Sequence, residues 1–493
     1  MSEHEALARI DAVIAQGPYQ ATWSSLAHYS VPAWYRDAKF GIFIHWGVFS
    51  VPEFGSEWYP RNMYMKDSPE YAHHRATYGD QRKTGYKDLI PKFTAAKWDP
   101  QAWADLFLAA GARYVVPVAE HHDGFQLYQS AVSHYNAYEM GPHRDIAGEL
   151  KLALNQRGLF YGASSHRIEH WHFLGHGREF ASDIHDPLRR GDLYWPAQQE
   201  PADALDITTP QPSEEFMADW LVRSCEIVDR YQPREMYFDW WIEQLAMKPY
   251  LQRFAAYYYN RAAQWGIVPV IAYKFDAFAF GTALPDVERG QFAEVQPYAW
   301  QTDTAIARNS WSWTPGNDYK KAPEVLCNLV DVVSKNGNLL LNVGPHADGT
   351  IAPEERELLL TVGAWLAVNG EAIYGSRPWR KAAEGPTAAI GGSFADHQAI
   401  AYTDRDFRFT VNEGNLYAIA LNPTPGHEMC ITSLQAPADH HYDGVDFRGG
   451  IAAVTVLGAT GETTWHRDGA GLHVAAAGAA HDGLPVVVRI TVK

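Results

Sequence analysis

The stretch Arg113–Phe125, RYVVPVAEHHDGF, decides how the rest of the chain is read. Its first seven residues are a nearly continuous apolar run, the signature of a strand buried on both faces, as in a parallel sheet. At its end the character switches abruptly to Glu120-His121-His122-Asp123-Gly124, a cluster of titratable groups closing on a turn signal. Outward in both directions the pattern repeats. Lys39–His45 (KFGIFIH), Leu159–Ser164 (LFYGAS), Met236–Trp240 (MYFDW) and Ile267–Tyr273 (IVPVIAY) are further apolar runs. Between them Trp103–Ala110, Leu150–Asn155, Glu215–Tyr231 and Arg253–Gln264 carry helical spacing. Alternation of this kind from about residue 33 to 375 is that of an α/β fold, and its number of repeats favours a (β/α)8-like barrel over an open sheet. Gly337–Gly344 (GNLLLNVG) is one more buried strand, and the helix Glu354–Val368 closes the region.

Beyond Pro378 helical periodicity fades. Short strands are expected at Ala399–Tyr402, Arg408–Asn412, Leu416–Leu421, Ala452–Leu457, Leu472–Ala475 and Val486–Val492, the texture of an antiparallel β-sandwich. The expected organisation is a catalytic barrel with an N-terminal helix over 1–378, followed by a C-terminal sandwich over 379–493. Its aromatics Tyr402, Tyr417 and Trp465 are too dispersed for a stacking platform, so the sandwich reads as a packing module. The 493 residues allow about two or three domains.

Composition narrows the function. A net charge of −17 disfavours capture of nucleic acid or an anionic membrane surface. No apolar stretch approaches the length of a bilayer span. The segment Met1–Gln16 is amphipathic and acidic without the basic start of a leader, so a soluble, cytoplasmic protein is expected. Cys225, Cys327 and Cys430 form no disulfide or zinc pattern, and none has a neighbouring His in sequence to activate it. The content of 18 Trp and 27 Tyr is high, and such rings suit stacking on sugars or filling a large core.

In a barrel of this type chemistry sits at the C-terminal strand ends. Those ends carry His45-Trp46-Gly47, Glu120–Phe125, Ser164-Ser165-His166 and Asp239-Trp240-Trp241. A carboxylate flanked by Phe238, Trp240 and Trp241 is placed for partial burial, which tunes its ionisation. The His121-His122 and His170/His172 pairs offer ring nitrogens for a metal, but no HExxH or third ligand at fixed spacing accompanies them. Neither metal nor cofactor is expected, and nucleophile-elbow and phosphate-loop patterns are missing. His, Trp, Tyr and carboxylates without cofactor motifs fit glycoside hydrolysis, which needs two carboxyl groups across the scissile bond. If Asp239 is one, the other lies among Asp276, Asp286, Glu288 and Glu294, with Glu169 and Glu243 as outsiders. Arg289 beside Glu288 counts against a protonated Glu288.

Six motifs carry a resemblance: WYRDAKFGIFIHWG (Trp34–Gly47), EWYPRNMY (Glu57–Tyr64), EHHDGF (Glu120–Phe125), PREMYFDWW (Pro233–Trp241), VSKNGNLLLNVGPHADGTI (Val333–Ile351) and NGEAIYGSRPW (Asn369–Trp379). Together they resemble glycoside hydrolase family 29, the α-L-fucosidases. The resemblance implies a retaining exo-fucosidase acting on fucosylated oligosaccharides or glycoconjugates, with transfucosylation as a side outcome and no cofactor. It implies Asp239 as nucleophile, and His45, His121 and His122 as partners of fucose hydroxyls with Trp58 against the sugar. Trp240 belongs to the same motif. A residue twelve positions before Trp300 matches the family's acid/base region, which points to Glu288, with Glu294 as runner-up and Asp286 third. Retention implies carboxyl groups about 5–5.5 Å apart. In SSHRIEHWHF (Ser164–Phe173) the chain departs from some members, and His166, Glu169, His170 and Trp171 either line the leaving-group side or form a structural loop; Arg308, Trp311 and Trp313 near the mouth present the same choice, with packing slightly favoured. The rival readings are a catalytically inactive fucose-binding protein and an exo-glycosidase on a related sugar such as an α-L-galactoside.

Overall fold

A computed structural model describes residues 3–203, 205–396, 399–437, 446–476 and 483–493. Its larger part is a closed parallel barrel. The strands are β1 (Phe40–Ile44), β2 (Tyr114–Glu120), β3 (Phe160–Tyr161) continued by β4 (Ala163–Ser165), β5 (Glu235–Phe238), β6 (Val270–Lys274), β7 (Leu284–Asp286), β8 (Trp300–Ala305) and β9 (Gly337–Val343). Each pairs in parallel with its neighbours, and β1 pairs with both β9 and β2, so the sheet has no free edge. Gly41 is needed on β1, because a Cβ there would stand 2.4 Å from the Tyr114 ring.

Several barrel helices start at side-chain caps. The Asp99 side chain accepts from the Gln101 and Ala102 amides at the head of Pro100–Ala109, and Ser213 accepts from Phe216 at the head of Glu214–Tyr231. Side chains alternate along each strand between two cores. Phe43, Tyr114, Val116, Val118, Tyr237, Val270, Ala272, Leu284 and Leu340 fill the barrel interior, whereas Ile42, Ile44, Val115, Met236 and Phe238 pack outward under the helices. That parity positions the site described below.

The C-terminal part has two antiparallel sheets. One comprises β10 (Arg377–Glu384), β11 (Phe407–Asn412), β12 (Asn415–Ala420), β14 (Ile451–Val456) and β17 (Val486–Val492); the other β13 (Met429–Ile431), β15 (Thr463–Arg467) and β16 (Leu472–Ala476). Both contribute to one apolar cluster, with Phe407, Phe409 and Val488 from the first and Ile431, Leu472 and Val474 from the second. Ala399–Tyr402, expected as a strand, is irregular: the Tyr402 amide turns back to the Ile400 carbonyl. The pairing of β13 with β16 sets Cys430 opposite His473, with Sγ 3.9 Å from Nε2, a neighbour that sequence adjacency does not reveal. No described helix is long and apolar enough to cross a membrane.

Candidate active site at the C-terminal end of the barrel

Following the inward parity to the C-terminal strand ends, and one or two residues past β1, β5 and β7, sets polar side chains at the barrel mouth, and His45, Tyr237, Asp239, Glu288 and Asp303 among them wall a cavity. Phe43 leads to His45, Tyr237 to Asp239, Ala272 to Lys274, Leu284 to Asp286 and then Glu288, Gln301 to Asp303, and Leu340 to Asn342. On β2 the pairing slips between Val118 and Glu120. Beyond the slip Glu120 turns to Arg167 and Arg223, while His121 and His122 join the cavity. The walls are completed by Phe43, Glu57, Trp58, His166, Trp240 and Trp311.

Asp239 is tightly held. Its Oδ2 accepts from His166 Nδ1 at 2.9 Å and lies 3.5 Å from His122 Nε2, and its Oδ1 accepts the Trp240 amide at 2.9 Å. Burial alone would raise its pKa, but His166, Lys274 and His122 outweigh it and hold the carboxyl below the ordinary carboxylate range. His166 Nε2 lies 3.1 Å from the Ser164 hydroxyl, so the ring is held by hydrogen bonds at both nitrogens.

Glu288 has the opposite ionisation. Burial raises its pKa to about 7, with Asp303 and Asp239 adding to the rise and Lys274 opposing it. Lys274 Nζ lies 3.1 Å from Glu288, 3.0 Å from Asp303 and 3.4 Å from Asp286, and Tyr237 donates to Asp303 at 3.0 Å. Burial works against the lysine's charge, yet the surrounding carboxylates raise its pKa well above the ordinary value. Arg289, expected to keep Glu288 ionised, instead stacks 4.5 Å over the Trp311 ring and donates to the Ala307 carbonyl. The Glu288 backbone is clamped from the sandwich side: its carbonyl accepts the Phe394 amide at 2.8 Å, and Gln291 pairs with Gly392.

The histidines are poised to meet neutral polar ligands. His45 Nδ1 donates to Asn342 Oδ1 at 2.7 Å, leaving Nε2 as an acceptor. His122 Nδ1 donates to the His166 carbonyl at 2.9 Å. Burial, followed by the neighbouring rings, keeps His45 and His121 well below the usual imidazole pKa. Burial also takes His122 down to about 3, partly opposed by Asp239.

Of the residues singled out from sequence, His45, Trp58, His121, His122, His166, Asp239, Trp240, Glu288 and Trp311 line the cavity. Glu294 does not. It is exposed, six residues further along a loop that has by then left the barrel mouth. Trp171 is also outside the walls, because the residues after His166 coil into short helical turns that carry its ring into the core. Glu169 and His170 lie beneath the cavity, where Glu169 backs His122 Nδ1 at 3.2 Å and His170 Nδ1 meets the His122 carbonyl at 2.7 Å. His172 packs on Trp241, so the HH and HxH pairs do not converge. Ring nitrogens that do lie within 4.8 Å are those of His45, His121 and His166; His122, His166 and the Asp239 carboxylate form a second such set. Sequence reasoning missed Lys274, Asp303, Tyr237 and Glu57; the first three follow from extending strand parity.

The chain matches the family model "Alpha-L-fucosidase" over residues 6–371. It is 32% identical to the tissue alpha-L-fucosidase of Homo sapiens across 92% of this chain and 87% of that protein, and 35% identical to the human plasma enzyme across 73% of each. The crystal structure of Thermotoga maritima alpha-fucosidase superposes with a TM-score of 0.73 at 29% identity, covering 96% of this chain and all of that one, and its complex with fucose matches equally well. With that family match over most of its length and this cavity at the barrel mouth, the chain is a glycoside hydrolase and belongs to the α-L-fucosidase family.

Proposed function

We propose a retaining, exo-acting hydrolysis of terminal α-L-fucose from oligosaccharides or glycoconjugates, with Asp239 as nucleophile and Glu288 as acid/base. The observation that carries this reading is the opposite ionisation of two carboxyl groups in one cavity wall. Divergent pKa values of this kind mark acid and base assignments in glycosidases. Support for fucose itself comes from the Thermotoga maritima relative, whose structure is a complex with that sugar.

In the first step Glu288 gives its proton to the leaving oxygen as ionised Asp239 attacks the anomeric carbon, forming a covalent fucosyl-enzyme. Esterification removes the Asp239 charge that helps keep Glu288 protonated, so Glu288 becomes the stronger acid and ends the step as a carboxylate. It then takes a proton from water, which displaces Asp239. A sugar hydroxyl entering instead of water gives transfucosylation. His45, His121 and His122 present neutral nitrogens to the fucose hydroxyls, and Trp58, Trp240 and Trp311 offer apolar faces to its carbon skeleton.

The test is release of 4-nitrophenol from its α-L-fucoside. We expect Asp239→Ala to lose on the order of 10⁴-fold or more in kcat, as removal of a nucleophile does. Glu288→Ala should recover turnover with azide, yielding a fucosyl azide. Full activity in Asp239→Ala, or rescue of Glu294→Ala rather than Glu288→Ala, would overturn the assignment.

A further inference from the structure

The cavity holds a carboxylate for which neither step of the reaction has a direct use. Asp303, on β8, points into the barrel beside Glu288 and is 1% exposed. Both of its oxygens meet Lys274 Nζ, at 3.0 Å and 3.1 Å. Its Oδ2 also accepts the Tyr237 hydroxyl at 3.0 Å. The main chain of the same strand holds the acid/base loop. The Asp303 carbonyl accepts the Arg289 amide at 2.8 Å, and the Gln301 carbonyl accepts the Val287 amide at 2.9 Å. β8 therefore grips the backbone on both sides of Glu288, while the Asp303 side chain takes the lysine that reaches Glu288 at 3.1 Å.

We propose that Asp303 is a positioning residue for the acid/base: its carboxylate occupies the charge of Lys274 and thereby leaves Glu288 its proton. The proposal rests on Glu288 being the acid/base. A buried ammonium 3.1 Å from a carboxyl favours the ionised form, and an ionised Glu288 has nothing to give the leaving oxygen. A second carboxylate that meets the ammonium with both oxygens cancels much of that field. The direction of the titration agrees. Burial is the largest cause of the rise of Glu288 to about 7, Lys274 opposes it and Asp303 adds to it.

The other groups around Glu288 do not fill this role. Asp286, on the same strand, lies 3.4 Å from Lys274, but burial and then Asp303 raise its pKa well above the carboxylate range, so it keeps its own proton. Asp239, from the β5 side, is bonded to His166 and loses its charge when it is esterified. Burial keeps the proton on Tyr237 and on Glu169 beneath His122. His45, His121 and His122 are neutral rings. Arg289 is turned to Trp311, and on the sandwich side Lys320 is paired with Asp396. Asp303 is thus the charge that faces Lys274 before, during and after the covalent intermediate.

The test is the pH dependence of kcat/KM for 4-nitrophenyl α-L-fucoside in Asp303→Asn, which keeps the shape and an oxygen for Lys274 but drops the charge. Lys274 then draws Glu288 toward the carboxylate, so the fall that begins near pH 7 should move about one unit lower. The loss against wild type should be about tenfold greater at pH 8 than at pH 5. A residue that only braces the barrel would cost the same factor at every pH. Asp303→Ser, smaller and also neutral, should move the fall the same way, so the result does not hang on how one variant folds. Asp286→Asn should leave the fall in place, because that carboxyl is already neutral. A fall that does not move in either Asp303 variant, or moves upward, overturns the proposal, as does an equal displacement by Asp286→Asn. Glu288→Gln separates this result from the reading beneath it, since there the fall should vanish. If it persists, Glu288 is not the acid; if it vanishes while Asp303→Asn titrates like the wild type, the role of Asp303 alone fails.

Discussion

Two clusters of buried charge, one between the end of β2 and the helix Glu214–Tyr231 and one on β6, β7 and β8, differ in balance. In one, Arg167 and Arg223 both bridge Glu120 and Asp219, at 2.7–3.2 Å, with Arg190 reaching Asp219 from outside. Cations outnumber carboxylates, and although burial alone would raise the Asp219 pKa, the arginines hold it far below the usual range. In the other, the single Lys274 serves Asp286, Glu288 and Asp303, with Asp239 in its field. One cation cannot neutralise them, so burial lifts Glu288 to about 7 and raises Asp286 well above the carboxylate range, Asp303 adding to both. The first cluster ties the end of β2 to the helix Glu214–Tyr231 and has nothing left to exchange. The second cluster keeps a proton that can move. Both clusters are buried, so it is the shortage of positive charge that separates a carboxyl that keeps its proton from one that does not.

Lys274→Met tests this most severely. In the wild type kcat/KM should be level below about pH 7 and fall about tenfold per unit above it, because the first step needs Glu288 protonated and kcat/KM reports the free enzyme. Lys274 lowers the Glu288 pKa, so removing it should move that fall to higher pH. Activity at pH 7 should drop by roughly 10³-fold, within the 10²–10⁴ range of general acid–base catalysis, since Glu288 then yields its proton poorly to the leaving oxygen in the first step. A pH profile that stays in place would break the comparison.

Arg223→Met should do the reverse. Removing one partner of a buried ion network leaves uncompensated charge and costs about 3–5 kcal/mol. Urea unfolding should record that loss, while kcat per folded molecule stays within about threefold and the pH profile does not move. A displaced profile would mean that the two clusters communicate through His122, whose main chain meets His170 and whose side chain meets Glu169.

The contrast also explains what was legible in the sequence. Apolar runs exposed β1, β2, β5, β6 and β9, because those strands are buried on both faces. β7 and β8 escaped, since LPD is short and holds a proline, and WQTDTA is polar. Their polarity is itself the signal: Gln301 and Asp303 point into the barrel, where Gln301 accepts from Tyr35 and Asp303 meets Lys274. Solvated strands β10 and β15 were missed for the opposite reason, having no buried face continuous enough to read. Asp239 and the histidines stand out because they end apolar runs, whereas Lys274 ends one too but a single lysine carries no motif. Glu288 and Glu294 could not be separated by composition. What separates them is that Glu288 continues the Leu284–Asp286 parity into the cavity.

Glu294→Gln should therefore have the smallest effect. Both residues belong to one loop between β7 and β8, yet Glu294 is exposed, and its own carbonyl accepts from the Gln296 side chain. Water supplies what its carboxylate needs, so losing the charge should change stability by no more than about 0.5 kcal/mol, as surface substitutions do. Hydrolysis of the aryl fucoside should stay within twofold, with the fall above pH 7 intact. A hundredfold loss restored by azide would show that a solvated carboxyl can serve as the acid, and the charge shortage around Lys274 would then need another purpose.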